Sequence, residues 1–232
     1  MPVFELHITV DVNQDNLSLF LDVCQQVNLK PILVGVAYST GFSRFVQTSR
    51  YLTGTYSEAV AKLTDDANYL SKHNLSIRRH KIEALASTIQ DTNMFINTQA
   101  AGDLRSGYYE THIVFSLTEP YLTDPIHPFS EDSRLVITSE LKQLSRYNDT
   151  LYEHKLYWVP LSFNLKKAEL AQCFLTLRHY SDNFDNVRSD EQKVISDIQK
   201  QIPTLSLVKV IREFVCMDDN PYVDAEIKFN NK

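Results

Sequence analysis

Two successive series of elements, each in the order strand, helix, strand, strand, helix, strand, predict an α+β fold built by duplication. Three observations carry the prediction. Residues 4–10 alternate strictly between apolar and polar, and residues 109–115 read as a matching strand. Amphipathic stretches with capping-box signatures follow in both halves. The sequence Glu5-x-His7-Ile8 recurs as Glu110-x-His112-Ile113, each time behind an aromatic residue, Phe4 or Tyr109.

In the first series Phe4, Leu6, Ile8 and Val10 share one strand face, and Glu5, His7 and Thr9 share the other. Leu17, Phe20, Leu21, Cys24 and Val27 recur at helical spacing behind Asp15-Asn16, and residues 31–36 return as an apolar strand. A third strand is expected near residues 45–52. Thr55 with Glu58 three residues on opens a second helix, whose Ala59, Leu63, Ala67 and Leu70 turn inward. Residues 75–84 form the fourth strand.

The second series repeats this order. Residues 109–115 are its first strand, residues 133–147 its first helix, and residues 152–163 and 172–180 its second and third strands. Ser189 with Gln192 marks another helix start; Pro203 stops that helix before a last strand at residues 205–217. Each series is the ferredoxin-like βαββαβ order. The expected layout is a first half at residues 1–84, a connector at 85–107, a second half at 108–219 and a tail at 220–232. A loop insertion at 118–132, stiffened by Pro120, Pro125 and Pro128, interrupts the second half. A ferredoxin-like half covers one sheet face with its helices, so two halves are expected to pack as an internal pseudo-dimer that covers the other faces.

Composition excludes several function classes. The 23 basic residues against 29 acidic ones give a net charge of −6, unsuited to coating long nucleic acid or an anionic membrane. Five glycines form no G-x-G-x-x-G and no G-x-x-x-x-G-K-[ST], so nucleotide folds of those kinds are excluded. Met1 to Glu5 shows neither a basic segment nor an apolar run of signal-peptide type, and a cytoplasmic location is expected. Cys24, Cys173 and Cys216, widely spaced among apolar residues, read as buried hydrophobes.

The repeat also places polar residues together. Thr48-x-Arg50 aligns with Thr176-x-Arg178 at the third strand of each half, and Glu83 aligns with Glu213 near the end of the fourth. Arg79, Lys81 and Glu83 share one face of the fourth strand. A polar cavity between the halves is expected, since charges on a covered sheet face are costly unless paired or hydrated. There His7 and His112 can act as acid and base, Arg50 and Arg178 can clamp an anion bidentately, and Glu5 and Glu110 can orient the imidazoles. Thr9, Thr48, Thr176, Arg79, Lys81, Glu83 and Glu213 complete the ligand-binding set.

Three readings follow. The set turns over a phosphate-bearing small molecule or nucleotide end, binds it without turnover, or neutralises itself as an ion-pair network between the halves. The two Glu-x-His pairs also suit a transition metal, but no H-E-x-x-H or C-x-x-C accompanies them, and neither metal nor cofactor is expected. Nothing in the sequence assigns an oligomeric state.

The segment His7-Ile8-Thr9 resembles the H-x-[ST] motif of the two-histidine phosphoesterases, the RNA ligase-like and cyclic phosphodiesterase enzymes, whose fold is also a pair of related α+β lobes. The resemblance implies that His7 and His112 form the catalytic pair and that Thr9 positions a phosphate. The second motif departs from the pattern: it reads His112-Ile113-Val114, with Val at the hydroxyl position.

Weaker candidates remain. Arg78-Arg79-His80-Lys81, with the aromatic-rich residues 152–158, suits either a nucleotide end or a solvated strand edge. Asp218-Asp219-Asn220-Pro221 reads first as a turn and second as a weak cation site, and His127 sits in the proline-rich loop, a position from which a lid could act. His73, His154 and His179 have no convergent partner in the sequence.

Overall fold

Alternation and helical periodicity place nearly every element. The computed structural model describes residues 1–13, 15–38, 41–89, 107–124, 134–136, 138–153, 157–158, 161–179, 184–220 and 223. Most of the connector, the end of the proline-rich loop with His127, His154 and most of the tail therefore lie outside the described residues. The first series is β1 Val3–Asp11, α1 Leu17–Gln26, β2 Lys30–Tyr38, β3 Gly41–Thr53, α2 Tyr56–Lys72 and β4 Ser76–Leu85. The second is β5 Tyr108–Ser116, α3 Ser139–Glu153, the short strands β6 Tyr157–Trp158 and β7 Leu161–Asn164, then β8 Gln172–His179, α4 Phe184–Gln201 and β9 Ser206–Asp218. The fold is α+β, with the ferredoxin-like order present twice.

The chain forms two compact units. Unit 1 comprises Met1–Leu33, Phe45–Tyr108 and Arg212–Val223. Its sheet runs β9-β4-β1-β3-β2, with β1 antiparallel to both β3 and β4, and with residues 213–218 of β9 beside β4. Phe4, Leu6, Ile8 and Val10 are all buried, and α2 packs on β1 and β4 through Ala59, Leu63, Ala67 and Leu70. A Thr55 capping box starts α2: the Thr55 N–H donates to Glu58 Oε2 at 2.7 Å, and the Glu58 N–H donates to Thr55 Oγ1 at 3.3 Å. Gly54 leaves room for this, because a Cβ there would lie 2.7 Å from Glu58 Oε2. Just past α1 and α2, Asn28 and Asn74 take left-handed conformations, with φ of 54° and 61°, the conformation that stops a helix and that Asn tolerates.

Unit 2 comprises Val34–Arg44, Tyr109–Ile211 and Asp224–Lys232. In its sheet β8 pairs antiparallel with β5 and with the short β6 and β7, while β7 pairs with residues 34–37 of β2. Its core holds Ile113, Phe115, Leu144, Phe163, Leu175, Leu177, Val187, Val194 and Ile198. The segments 34–44 and 212–223 thus each belong to the unit opposite to their own half of the sequence.

Three boundaries differ from the sequence expectation, each for a local reason. The first helix of the second half starts at Ser139, not near residue 133, because Leu135 pairs with Leu122 in a β-bridge and the Thr138 hydroxyl caps Leu141 N. That helix continues to Glu153, so the strand expected at 152–163 is reduced to β6 and β7. The Ser189 signature lies inside α4, which begins at Phe184. No helix among the described residues is long and apolar enough to cross a membrane.

Candidate functional site: two polar sheet faces

Strand register decides which side chains meet. In unit 1, Leu6 faces Arg50 and Thr9 faces Gln47, so Ser49 stands opposite His7; on the other side His7 faces Lys81, Glu5 faces Glu83 and Thr9 faces Arg79. Glu5, His7, Thr9, Ser49, Arg79, Lys81 and Glu83 therefore share one face, and all are buried.

His7 is held at both ring nitrogens. Nδ1 lies 2.9 Å from the Thr48 carbonyl oxygen, while the Thr48 hydroxyl accepts from Ile8 N at 3.2 Å. A carbonyl accepts only, so Nδ1 carries a proton. Nε2 lies 2.9 Å from Glu83 Oε2 and 3.6 Å from Glu5 Oε1. An unprotonated Nε2 would turn its lone pair on two carboxylates, so the stable species is the imidazolium. Burial on its own pushes the His7 pKa down, and Lys81 adds to that; the hydrogen bond and charge of Glu83, with the charge of Glu5, outweigh both and hold it at about 9.

Other charges on this face are paired or hydrogen-bonded as well. Lys81 Nζ pairs with Glu83 Oε1, and Ser49 Oγ donates to Glu5 Oε1. Arg79 grips Asp218 with Nε at 2.8 Å and with Nη2, and Tyr108 donates its hydroxyl to Asp218 Oδ2 at 2.7 Å. These three residues join β4, β9 and the start of β5 through an ion pair with almost no exposure. Glu213 is buried on β9 opposite Leu85. Tyr51, opposite Glu5, is 56% exposed; burial of part of its ring, the hydrogen bond to Glu5 and the charges of Glu5, Glu213 and Glu83 push its phenol well above the ordinary range. The Thr9 hydroxyl is buried with no hydrogen-bond partner among the described residues.

Arg50 does not belong to this face. It shares the helix-covered side with Leu6, where Nε donates to Asp66 Oδ2 of α2 at 2.7 Å and Nη2 donates to the Val27 carbonyl just past α1 at 2.7 Å. Lys62 adds a second cation to Asp66. The fork expected to clamp an anion fastens two helices to β3.

In unit 2, His112 faces Thr176 and Glu110 faces Arg178. Arg178 Nε donates to Glu110 Oε1 at 2.7 Å, His112 Nδ1 lies 2.8 Å from Thr176 Oγ1, and His112 Nε2 is 3.8 Å from Glu110 Oε2. The His112 side chain is 25% exposed, against 9% for His7.

These registers correct the alignment of the halves. The counterparts of Thr176 and Arg178 are Ser49 and Tyr51, one position along from Thr48 and Arg50. A slip of one residue moves a strand's side chains to the opposite face. Both alternating series of β3 carry polar residues near its middle, so alternation alone could not choose between them. Ser49, Tyr51, Tyr108 and Asp218 are the members that sequence reasoning missed. For Asp218 the one signal was its charge, opposite to that of the basic run 78–81.

That run is spent within unit 1. Besides the Arg79 and Lys81 pairs, Arg78 lies 3.5 Å from Asp11, and His80 Nδ1 lies 2.6 Å from Asp219 Oδ2 while its N–H donates to Asp219 Oδ1. Asn220 Nδ2 donates to the Arg78 carbonyl. The 218–220 turn thus fastens along β4, an interior strand with β9 on its outer side, rather than a solvated edge. The side chains of residues 152–158 that would accompany a nucleotide end lie outside the described residues.

No protein-family model matches the chain, and no curated protein matches its sequence. Among solved structures the chain is similar to chlorite dismutase from Candidatus Nitrospira defluvii, with a TM-score of 0.28 and 8% identity over 91% of this chain and 90% of that one. A likeness so distant assigns no role to any residue.

Proposed function

We propose that this chain is a ligand-binding protein without acid–base turnover at His7, and that its Glu/His/Arg sets serve first as ion-pair networks stabilising the polar sheet faces. The observation that carries this reading is the double engagement of His7: Nδ1 on a carbonyl and Nε2 on Glu83. A general base needs a ring nitrogen with a lone pair aimed at the substrate, and an imidazolium held at both ends has none. The two-histidine phosphoesterase mechanism implied by His7-Ile8-Thr9 would require that network to come apart.

The ligand in this reading is a phosphate-bearing small molecule or nucleotide end, taken up on the β5/β8 face of unit 2. His112 is the more exposed histidine, Thr176 orients its ring, and Arg178 supplies a guanidinium. The test assays wild type, His7→Ala and His112→Ala against cyclic nucleotides and phosphodiesters, with calorimetric titration of inorganic phosphate and a nucleoside monophosphate alongside. Binding without turnover, lost in His112→Ala, supports the reading. Turnover in the wild type that disappears in His7→Ala restores the enzyme, and absence of binding in the wild type leaves the network as the whole role of these residues.

A further inference from the structure

Unit 2 buries another histidine, on the helix-covered side of β8. His179 stands opposite Tyr109 of β5 and is 5% exposed. Its Nδ1 lies 3.8 Å from Asp190 Oδ2, too far for a hydrogen bond, and its Nε2 is buried with no partner among the described residues. Two strand positions along, on the same side, the Thr111 hydroxyl is buried and likewise without a hydrogen-bond partner among the described residues. From α4, Asp190 and the buried Glu191 face the ring; from β5 it meets Tyr109, whose own ring lies 5.1 Å from Phe184 at the start of α4. The remaining inward residues of α4, Val187, Val194 and Ile198, are apolar.

We propose that His179 is an acid-sensitive trigger beneath α4: a proton taken up there places a charge in a buried seam with no acceptor for Nε2 among the described residues, and the first half of α4 then opens from β5 and β8. A neutral ring tolerates this site because it has one N–H and no charge to solvate. Protonation removes that tolerance. Burial keeps the ring's pKa below its ordinary value of 6.5, against the partial opposition of Asp190 and Glu191. The unfolded chain therefore takes up the proton first as pH falls. The packing is indifferent to pH above 6.5 and weakens below it, until the folded ring titrates as well.

Hydrogen exchange on the full chain, corrected for the intrinsic pH dependence of exchange, tests the trigger between about pH 7.5 and pH 5, the range in which histidine changes charge. In the wild type, peptides covering residues 184–191 should lose protection on acidification, as preferential proton uptake by the open state requires. His179→Gln, which cannot charge, should remove that acid response while unit 1 exchanges as before. Should His179→Gln fail to fold, Asp190→Asn decides: with one offsetting carboxylate gone, the acid transition of the same peptides must deepen and move to higher pH, since the folded ring then protonates less readily and the open state gains more from the proton. An acid response that persists in folded His179→Gln, an unmoved transition in Asp190→Asn, or equal protection of the wild type at both pH values overturns the proposal.

Discussion

Glu83 Oε2 lies 2.9 Å from His7 Nε2, and the other oxygen of the same carboxylate pairs with Lys81. One buried carboxylate thus serves two cations from two neighbouring strands. Its removal leaves both with reduced compensation, and breaking a buried pair from one side costs about 3–5 kcal/mol. Glu83→Gln should destabilise the chain by that order in urea unfolding. In a double-mutant cycle with His7→Gln the two losses should fall short of adding, which a pair without direct coupling would not show.

The raised His7 pKa sets the sign of an alkaline loss of stability. The folded ring titrates at about 9 and the unfolded ring at 6.5, so the native state holds a proton that the unfolded state has released between those values. The contribution is full below pH 6.5 and is lost as pH rises through 9; from the linkage relation it amounts to about 3 kcal/mol. Unfolding midpoints in urea at a series of pH values should decline across this window in the wild type, and His7→Gln should flatten the decline.

Arg50 separates architecture from binding. Arg50→Met removes the link from Asp66 to the Val27 carbonyl and should cost about 3 kcal/mol, while leaving calorimetric phosphate binding unchanged. Arg178→Gln should weaken that binding by roughly tenfold or more, as loss of one charge-assisted contact implies. Equal loss of binding in both variants would contradict the placement of Arg50 on the helix-covered side.

The three thiols should be inert in the native state. Cys24, Cys173 and Cys216 are buried thiols outside any disulfide. Burial pushes the Cys173 thiol up to about 12, aided by the charge of Glu140, and pushes Cys216 higher still, so little thiolate forms at neutral pH. An aromatic disulfide reagent should label none of them in native protein and all three after denaturation.

Much of the fold was legible because burial on one face leaves a plain mark: Phe4, Leu6, Ile8 and Val10 alternate without a break, and the Thr55–Glu58 box starts its helix where expected. The repeated Glu-x-His likewise identified the polar-face positions of β1 and β5. Register was not legible at β3, where Thr48, Ser49 and Arg50 are all polar and only the pairing partner tells the faces apart. Nor could sequence foresee that Asp218, far along the chain and within a run resembling a turn, closes on Arg79. Pairings of that range depend on which strand lies beside β4, and side-chain periodicity carries no record of it.

The protonation state of His7 bears most directly on all of this. Nitrogen-15 chemical shifts of its ring, followed by multiple-bond correlation through a pH titration, report the proton on each nitrogen separately. Two protonated nitrogens are expected at neutral pH, with loss of one only near pH 9. A ring that is neutral at pH 7, with a single protonated nitrogen, would contradict it and return His7 to service as a base.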